Sequence, residues 1–393
     1  MTNSLYSHLE CVQCGTHFNK YTLQNYCHTC IQPLVARYHL HNRIGKEIIR
    51  NTTNSMWRYQ ALLPLLNSDN IVSLGEGWTP LFPLHKSGKN LGVDHLFLKE
   101  EGGNPTGSFK ARGIGLAVSK AKELNVHKFC IPTAGNAGSA LSAYAAAMNG
   151  EAFIYMPEAT PMVFHLDCEI MGAKVNKVRG SIRDAGIAMM QDNKDGKWWD
   201  VTTLKEPFRL EGKKTMGFEI AEQLNWELPD VIIYPTGGGT GLIGIWKAFE
   251  EMKEMGWVDH IPTRMVAVQT KGCNPVVRAF EAGLDHCDLY ENPEETIANG
   301  LRVPKAFGDK LIMKTLKESH GTAFDVTEEE IIASIKEFGR TEGVFLSPEG
   351  AAVYSGLKKL IENGFIQKSD KVVIINTGSP YKYVENMYGI LKN

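Results

Sequence analysis

One lysine of this chain stands where it could support covalent chemistry. The stretch 100–113 follows a β-rich run and precedes a helical pattern, which places Lys110 in the first turn of the helix. The positive end of a helix favours a neutral amine over an ammonium group, and a neutral amine can form a Schiff base with a carbonyl group. Taken alone, the pattern also fits a solvated lysine at a helix start, so both interpretations stay open at this point.

Two further turns between a strand and a helix carry residues suited to ligand binding. Small residues surround Asn136 in 132–138, which would let a flat ligand approach the backbone, although a simple capped turn also fits. The stretch 235–241 has four glycines, so its N–H groups at a helix start could hold a phosphate. It lacks the lysine of a nucleotide P-loop, which favours a phosphate ligand smaller than ATP; a structural glycine turn is the alternative.

Short β-rich runs alternate with helical patterns from residue 96 onward, which predicts an α/β fold with parallel sheets. The runs are 96–98, 129–131, 153–155, 231–234, 265–268 and 372–375. Helices are predicted over 138–148, ending at Asn149-Gly150, and over 240–255, ending at Gly256. The second helix repeats apolar residues at helical spacing, which predicts a buried face. These residues are Leu242, Ile245, Trp246 and Phe249. The last run leads into Thr377, a hydroxyl residue at a strand end where open α/β sheets bind ligands.

The cysteines divide into a cluster and a scattered set. Two C-x2-C pairs near the N-terminus have the spacing of a closed, tetrahedral, structural zinc site. Their members are Cys11, Cys14, Cys27 and Cys30. His17 and His28 lie nearby, but four thiolates complete the ligand set, and a second pair makes a redox function less consistent with the pattern. The others are expected to be ordinary buried thiols. They are Cys130, Cys168, Cys273 and Cys287.

Composition limits the class of protein. The chain has 393 residues, enough for two or three domains, and its 42 basic and 44 acidic residues leave a formal charge of −2. That balance argues against bulk nucleic-acid binding. No apolar run reaches the length of a membrane span, and the first residues lack a signal-peptide pattern. These observations predict a cytoplasmic protein with neither nucleic acid nor membrane as a partner.

In their order along the chain, these motifs make the sequence resemble the fold-type II pyridoxal-phosphate enzymes, and among them the threonine synthase family. The resemblance covers about residues 75–385, and a four-cysteine ribbon also precedes many members of the family. The matching segments are Leu74–Leu81, Asn104–Lys110 (the family's NPTGSFK), Arg209–Thr215 (similar to R-x-E-G-x-K-T) and Gly237–Gly241 (the phosphate loop).

The resemblance implies an architecture. It consists of two open, twisted, mostly parallel sheet domains of the tryptophan-synthase-β-like kind, preceded by a small zinc ribbon. The ribbon would span 1–38, and the large coenzyme domain would combine 39–117 with 209–393. A smaller, mobile domain would span 118–208. Members of the family are usually dimers, so a homodimer is expected.

The resemblance also implies roles for individual residues. Lys110 would bind pyridoxal 5′-phosphate as a Schiff base and shuttle protons, Asn136 would contact the ring oxygen O3′, and Thr377 would hydrogen-bond the pyridine nitrogen. The residues expected to hold the coenzyme phosphate are Gly237, Gly238, Gly239, Thr240 and Gly241. Those expected at the substrate are Ser108, Thr133 and Arg209.

The implied reaction converts O-phospho-L-homoserine and water into L-threonine and phosphate by elimination and hydration. The alternatives are a threonine or serine dehydratase, a cysteate-synthase-like replacement enzyme and a diamino-acid ammonia-lyase. A non-catalytic binding protein built on the same fold is disfavoured because Lys110 and the glycine loop are intact.

Three residues depart from the family pattern. Ala111 stands where the family usually has Asp, and Ala134 stands where it often has a hydroxyl residue. Glu206 stands where the family commonly has Asn. A carboxylate at that place would repel a substrate phosphate unless it points away or pairs with a cation such as Lys205.

Overall fold

The computed structural model describes residues 4–41 and 44–391. The chain forms two compact units. Unit 1 comprises the chain up to Trp78 together with Asn104–Thr215, and unit 2 comprises Thr79–Gly103 together with the chain from Met216 onward. The predicted domain boundaries separate a mobile domain from a larger one, and they stay a prediction. Residues 1–3, 42, 43, 392 and 393 of the predicted domains lie outside the described residues.

The helices and strands are numbered in chain order. The strands are β1 (Tyr6–Cys11), β2 (His17–Phe18), β3 (Leu34–Tyr38), β4 (Leu81–Pro83), β5 (His95–Glu100), β6 (Lys128–Pro132), β7 (Glu151–Pro157), β8 (Lys174–Val178), β9 (Trp199–Asp200), β10 (Val231–Pro235), β11 (Arg264–Thr270), β12 (Thr322–Val326) and β13 (Lys371–Asn376). The α-helices are α1 (His85–Leu91), α2 (Lys110–Glu123), α3 (Asn136–Ala147), α4 (Met162–Ile170), α5 (Ile182–Asp192), α6 (Phe208–Gln223), α7 (Thr240–Glu254), α8 (Pro275–Glu281), α9 (Asp309–Glu318), α10 (Glu328–Glu342), α11 (Pro348–Glu362) and α12 (Val384–Leu391). Short 3-10 helices span Lys46–Ile48, Met56–Leu62, Ser68–Asn70, Pro105–Gly107, Asn299–Leu301 and Pro380–Tyr383.

Unit 1 contains two sheets. The N-terminal segment forms an antiparallel sheet in the order β2-β1-β3, which is called the ribbon below. A second, parallel sheet has the order β8-β7-β6-β9. Helix α5 packs on this sheet through Ala185 and Met189, which form a core cluster with Cys130, Phe153 and Tyr155.

Unit 2 is built on one sheet in the order β12-β11-β10-β13-β5-β4. Its strands are parallel except β4, which pairs antiparallel with β5 at one edge. Every residue of β10 is buried, as expected of a parallel strand covered on both faces. The prediction of an α/β fold with parallel sheets is confirmed, and all six predicted strands are present.

The two predicted helices are also confirmed. Helix α3 ends at Ala147, and Asn149 has a left-handed φ of 58°. Helix α7 ends at Glu254, Gly256 has a φ of 71°, and its predicted apolar face is buried. The four scattered cysteines are buried thiols, as predicted. Within the described residues, every helix is too short or too polar to cross a bilayer.

Candidate active site

Lys110 opens α2, as its sequence context predicts. The amine Nζ lies 3.9 Å from the centroid of the Phe109 ring. The preceding turn bends sharply, with left-handed φ angles of 57° at Thr106 and 66° at Gly107. It places Ser108 in the interior, where its Oγ has no hydrogen-bond partner among the described residues. A buried hydroxyl of this kind is a natural contact for a polar group of a ligand.

Two glycines let α2 and α6 approach closely. A Cβ on Gly113 of α2 would lie 2.6 Å from the carbonyl oxygen of Arg209, and one on Gly212 of α6 would lie 2.2 Å from that of Arg112. Any larger residue would therefore separate the helices. Arg112 adds a hydrogen bond from Nη1 to Thr215 Oγ1 at 3.0 Å. The segment Arg209–Thr215 thus brings Arg209 and Lys213 close to the N-terminal part of α2.

Arg209 and Lys213 are both fully buried. Arg209 donates from Nη1 to the carbonyl oxygen of Val201 at 2.6 Å, whereas its Nε and Nη2 have no hydrogen-bond acceptor among the described residues. Lys213 Nζ lies 5.2 Å from the Phe109 ring, which Lys110 also contacts. Burial lowers the pKa of Lys213 well below its usual range, and the charges of Arg209 and Lys110 lower it further. Buried donors and positive charge together favour an anionic ligand.

Glu206 is fully buried, yet its carboxylate is bound by the backbone. Its oxygens accept hydrogen bonds from the N–H groups of Phe208 at 2.8 Å and Arg209 at 3.1 Å. The carboxylate therefore satisfies N–H groups at the start of α6. Burial raises the pKa of Glu206 to about 7, against the opposing effects of Arg209 and these hydrogen bonds. Lys205, the cation considered as a partner, lies 3.9 Å from Asp200 instead.

Asn136 opens α3 after a turn that requires glycine. Gly135 has a φ of 137°, and a Cβ there would lie 2.9 Å from the Phe164 ring. Thr133 is buried, and its Oγ1 accepts a hydrogen bond from Gly135 N–H at 3.1 Å. Thr133 therefore holds the turn that positions Asn136, and its contact with a substrate stays a prediction.

A buried carboxylate that the sequence did not reveal braces the same unit. Glu76 accepts hydrogen bonds from Trp57 Nε1 at 2.6 Å, Tyr144 Oη at 2.5 Å and Leu74 N–H at 2.9 Å. Tyr144 belongs to α3, so Glu76 ties the 74–78 loop to the helix that begins with Asn136. The sequence does not predict this contact, because a glutamate between two glycines does not indicate burial or a partner.

In unit 2, the glycine loop joins the carboxyl end of β10 to the N-terminus of α7. Gly237 and Gly239 are buried, and Gly238 is half-buried. A Cβ would lie 2.2 Å from the Gly300 carbonyl oxygen at Gly237, 2.3 Å from Ile312 Cγ1 at Gly239 and 1.9 Å from Tyr234 Oη at Gly241. The glycines thus let the loop pack tightly beneath the start of a long helix, ending at Thr240. A helix start of this form suits a phosphate.

Thr377 follows β13 in unit 2 and is buried. Its neighbour Asn376 donates from Nδ2 to the Glu100 oxygens at 2.8 and 2.9 Å and accepts from Ser347 Oγ at 2.8 Å. These bonds fix the backbone from which Thr377 extends. Burial raises the pKa of Glu100 to about 7, while hydrogen bonds from Asn376 and Gly102 oppose the shift.

The four N-terminal cysteines converge on one point. All their Sγ atoms lie within 4.8 Å of one another, and those of Cys14 and Cys27 are 3.9 Å apart. Thiolates around a tetrahedral zinc ion with bonds of about 2.3 Å are roughly 3.8 Å apart. Gly15 has a left-handed φ of 68°, as the tight turn after the first pair requires. This cluster could hold a metal ion.

The ribbon is joined to the helix that carries Arg209. Tyr38 Oη donates to Glu211 Oε2 at 2.7 Å, and the same oxygen pairs with Lys214 Nζ at 2.7 Å. At a second point, Asn25 Nδ2 donates to the carbonyl oxygen of Asp200 at 2.8 Å. The ribbon therefore supports the first turns of α6.

Comparison with known proteins agrees with this geometry. The family model described as pyridoxal-phosphate dependent enzyme matches residues 72–378. Threonine synthase from Methanocaldococcus jannaschii is 35% identical over 378 residues, which are 95% of this chain and 92% of the relative. The corresponding enzyme from Methanosarcina acetivorans is 35% identical over 94% of this chain and 91% of its own length.

Solved structures share the fold. Threonine deaminase isoform 2 from Solanum lycopersicum has a TM-score of 0.68 at 21% identity, over 79% of this chain and 87% of that one. Maize serine racemase has a TM-score of 0.64, also at 21% identity, over 80% of this chain and 92% of that one. Fold, motifs and relatives together place the chain among the pyridoxal-phosphate dependent enzymes, as a member of the threonine synthase family.

Proposed function

We propose that the chain is a threonine synthase that converts O-phospho-L-homoserine and water into L-threonine and phosphate. Its relatives of that name span nearly the whole chain. The observation that carries the substrate assignment is Arg209, whose buried Nε and Nη2 need acceptors that a phosphate ester would supply. Glu206 does not oppose this, because its carboxylate is bound by backbone N–H groups.

Pyridoxal 5′-phosphate is the coenzyme of this family, and the residues present fit it. The tightly packed glycines before α7 suit its phosphate, and the proposed holders are Gly237, Gly238, Gly239, Thr240 and Gly241. Asn136 is proposed to contact the ring oxygen, Thr377 the pyridine nitrogen and Lys110 the aldehyde carbon. When bound, the coenzyme supplies an electron sink for bond breaking next to the substrate amino group.

The chain's own residues account for binding and proton transfer. The amine of Lys110 is proposed to remove protons from Cα and Cβ while phosphate leaves Cγ, and protons are returned to Cγ, which becomes the methyl group, and to Cα. Arg209 and Lys213 are proposed to hold the phosphate, since both are buried and Lys213 lies near the charges of Arg209 and Lys110. Ser108 and Thr133 are proposed to contact the substrate. Water then adds at Cβ to complete threonine.

We further propose that the four clustered cysteines bind a structural zinc ion. The enzyme is proposed to work as a homodimer in the cytoplasm, with residues 118–208 forming a smaller, mobile domain. The relatives named threonine synthase support an amino-acid substrate as its partner, and the near-neutral charge opposes a polyanion or an anionic membrane. Elemental analysis and light scattering of the purified protein test zinc content and oligomeric state.

The reaction is tested by incubating the holoenzyme separately with O-phospho-L-homoserine, L-threonine and L-serine, and measuring amino acids, keto acids and phosphate. Threonine and phosphate in equal amounts are expected from the first substrate. Keto acid from a hydroxy amino acid without phosphate release would overturn the proposal in favour of a dehydratase. Arg209→Gln should raise KM for the phosphorylated substrate, whereas Arg179→Gln, which changes a residue exposed on the surface, should not.

A further inference from the structure

A second group of metal-ligating side chains lies on the ribbon. His8 and Glu10 are two residues apart on β1 and share one face of the strand. His17 on β2 is the register partner of Glu10. Each of the three offers a ligand atom, and these atoms lie within 4.8 Å of one another. Since side chains alternate along a strand, Cys11 points to the opposite face, so this group is distinct from the four cysteines.

The spacing of these atoms approaches that of a metal site. Glu10 Oε2 lies 3.9 Å from His8 Nε2 and 3.7 Å from His17 Nε2, and the two ring centroids are 3.9 Å apart. Donors around a tetrahedral zinc ion with bonds of about 2.0–2.1 Å are roughly 3.3–3.4 Å apart. The two distances from Glu10 to the imidazoles therefore exceed this spacing by roughly half an ångström or less.

Neighbouring groups hold two of the donors in this orientation. His8 Nδ1 is hydrogen-bonded to Ser7 Oγ at 2.9 Å, which leaves Nε2 directed toward Glu10. Arg37 donates from Nη2 and Nε to Glu10 Oε1 at 2.6 and 3.0 Å, so that Oε2 faces the imidazoles. Such outer partners commonly fix the ligands of metal sites. The His17 side chain is 64% exposed, which gives an ion access from solvent.

We infer that His8, Glu10 and His17 form a second zinc site on the ribbon. Imidazole nitrogen and carboxylate oxygen are ligands that zinc accepts, and three protein donors leave one position for water. The site uses none of the cysteines and none of the residues assigned to coenzyme or substrate. The alternative is a cluster of hydrogen bonds and ion pairs around Glu10 that binds no metal.

The test is equilibrium dialysis of the full-length holoenzyme against Zn²⁺, after the cysteine cluster has been filled. The wild-type protein should take up one further equivalent. His8→Gln and His17→Gln should each weaken its binding about tenfold or more, since each removes a ligand. His286→Gln is the matched control, because His286 also pairs with a carboxylate, that of Asp285 at 2.9 Å; it should bind zinc as the wild type does.

A second measurement locates the ion. In nitrogen-15 spectra of the histidine rings, added Zn²⁺ should shift the signals of His8 and His17 and leave that of His286 in place. Absence of a further equivalent in the wild-type protein would overturn the inference. So would unchanged zinc affinity in both ribbon variants, which would assign the uptake to other groups.

Discussion

Two fully buried lysines, Lys99 in unit 2 and Lys213 in unit 1, have opposite surroundings. Lys99 Nζ donates to Glu219 Oε2 at 2.9 Å, to the carbonyl oxygen of Thr79 at 2.8 Å and to Gln223 Oε1 at 2.9 Å. These three acceptors match the three donors of an ammonium group, and one of them carries the compensating charge. Lys99 is thus a buried charge whose hydrogen bonds are satisfied within the protein.

Lys213 lies among positive charges. Arg209 and Lys110 lower its pKa together with burial, and Glu206 opposes them. Other buried lysines follow the pattern of Lys99, each pairing with a carboxylate three or four residues along its helix. They are Lys120 with Glu123, Lys214 with Glu211, and Lys247 with Glu251.

The difference between Lys99 and Lys213 distinguishes a lysine buried for stability from one proposed to be buried for binding. A buried ion pair with full hydrogen bonding contributes to one packed arrangement, and breaking it is costly. Buried cations near one another are costly unless an anion lies close, and the Glu206 carboxylate beside Lys213 and Arg209 offsets part of that cost. The comparison therefore favours a structural role for Lys99 and supports the proposal that Lys213 and Arg209 bind the substrate anion.

The largest effect is expected for Lys110, the third amine of this comparison. Lys110→Ala removes both the proposed covalent attachment and the proton-transferring amine, so activity should fall by about 10³-fold or more. The visible absorption of the bound coenzyme should disappear as well, and borohydride should no longer attach the coenzyme covalently to the protein. Lys122→Ala on the same helix is the control, because its amine donates to the Asp69 carbonyl oxygen. Retained activity in Lys110→Ala would refute the assignment.

For Lys99, the expected effect is on stability. Lys99→Met leaves the buried Glu219 carboxylate without its cation, so the free energy of unfolding should drop by about 3–5 kcal/mol. Urea unfolding of the wild-type and variant proteins measures the change. The double variant Lys99→Met, Glu219→Leu should recover part of the loss because no unpaired charge remains. If Lys99→Met lowered the free energy of unfolding by less than about 1 kcal/mol, the proposed contrast between Lys99 and Lys213 would be wrong.

The sequence predicted the strands and helices of the two units better than the contacts of their side chains. The β-rich runs and the glycine-ended helices were recognised because apolar periodicity and left-handed turns are local properties. Strand β12 was missed because Thr322 and Asp325 interrupt its apolar pattern. Strand β9 was missed because it consists of Trp199 and Asp200 alone.

Within the proposed site, the order of motifs along the chain led to the prediction of Lys110, Asn136 and the glycine loop. The direction in which Glu206 points was not predictable, because a carboxylate can repel a ligand or cap its own helix, and the sequence is the same in both cases. The packing of Gly113 on α6 was equally hidden, since it joins segments about a hundred residues apart. Contacts of this kind depend on tertiary structure.

Glu206 should make stability depend on pH. Its folded pKa of about 7 lies above the ordinary value of 4.5, so between these values the folded state binds more protons than the unfolded state. Stability from this group is therefore highest at low pH and falls as the pH rises through that window. Between pH 5 and pH 8 the loss should be about 2–3 kcal/mol.

Glu206→Gln tests this dependence, because an amide oxygen can still accept a hydrogen bond at the start of α6 but does not titrate. In urea unfolding at pH 5 and pH 8, the free energy of unfolding of the variant should increase relative to that of the wild type as the pH rises. Contributions from other groups, such as Glu100 with its own raised pKa, cancel in the difference between the two proteins. An identical pH dependence in both would show that Glu206 keeps its ordinary pKa.

The last prediction concerns Lys213 itself. Lys213→Met removes a charge that burial and two cations disfavour, so the coenzyme-free protein should lose little stability. Loss of one charge-assisted hydrogen bond, about 1.5–3 kcal/mol, should raise KM for the phosphorylated substrate roughly 10- to 150-fold. Coenzyme binding, measured by its absorption, should stay unchanged, which separates this amine from Lys110. If Lys213→Met instead destabilised the protein as much as Lys99→Met does while leaving KM unchanged, both lysines would be structural. Arg209 would then remain as the group assigned to the substrate anion.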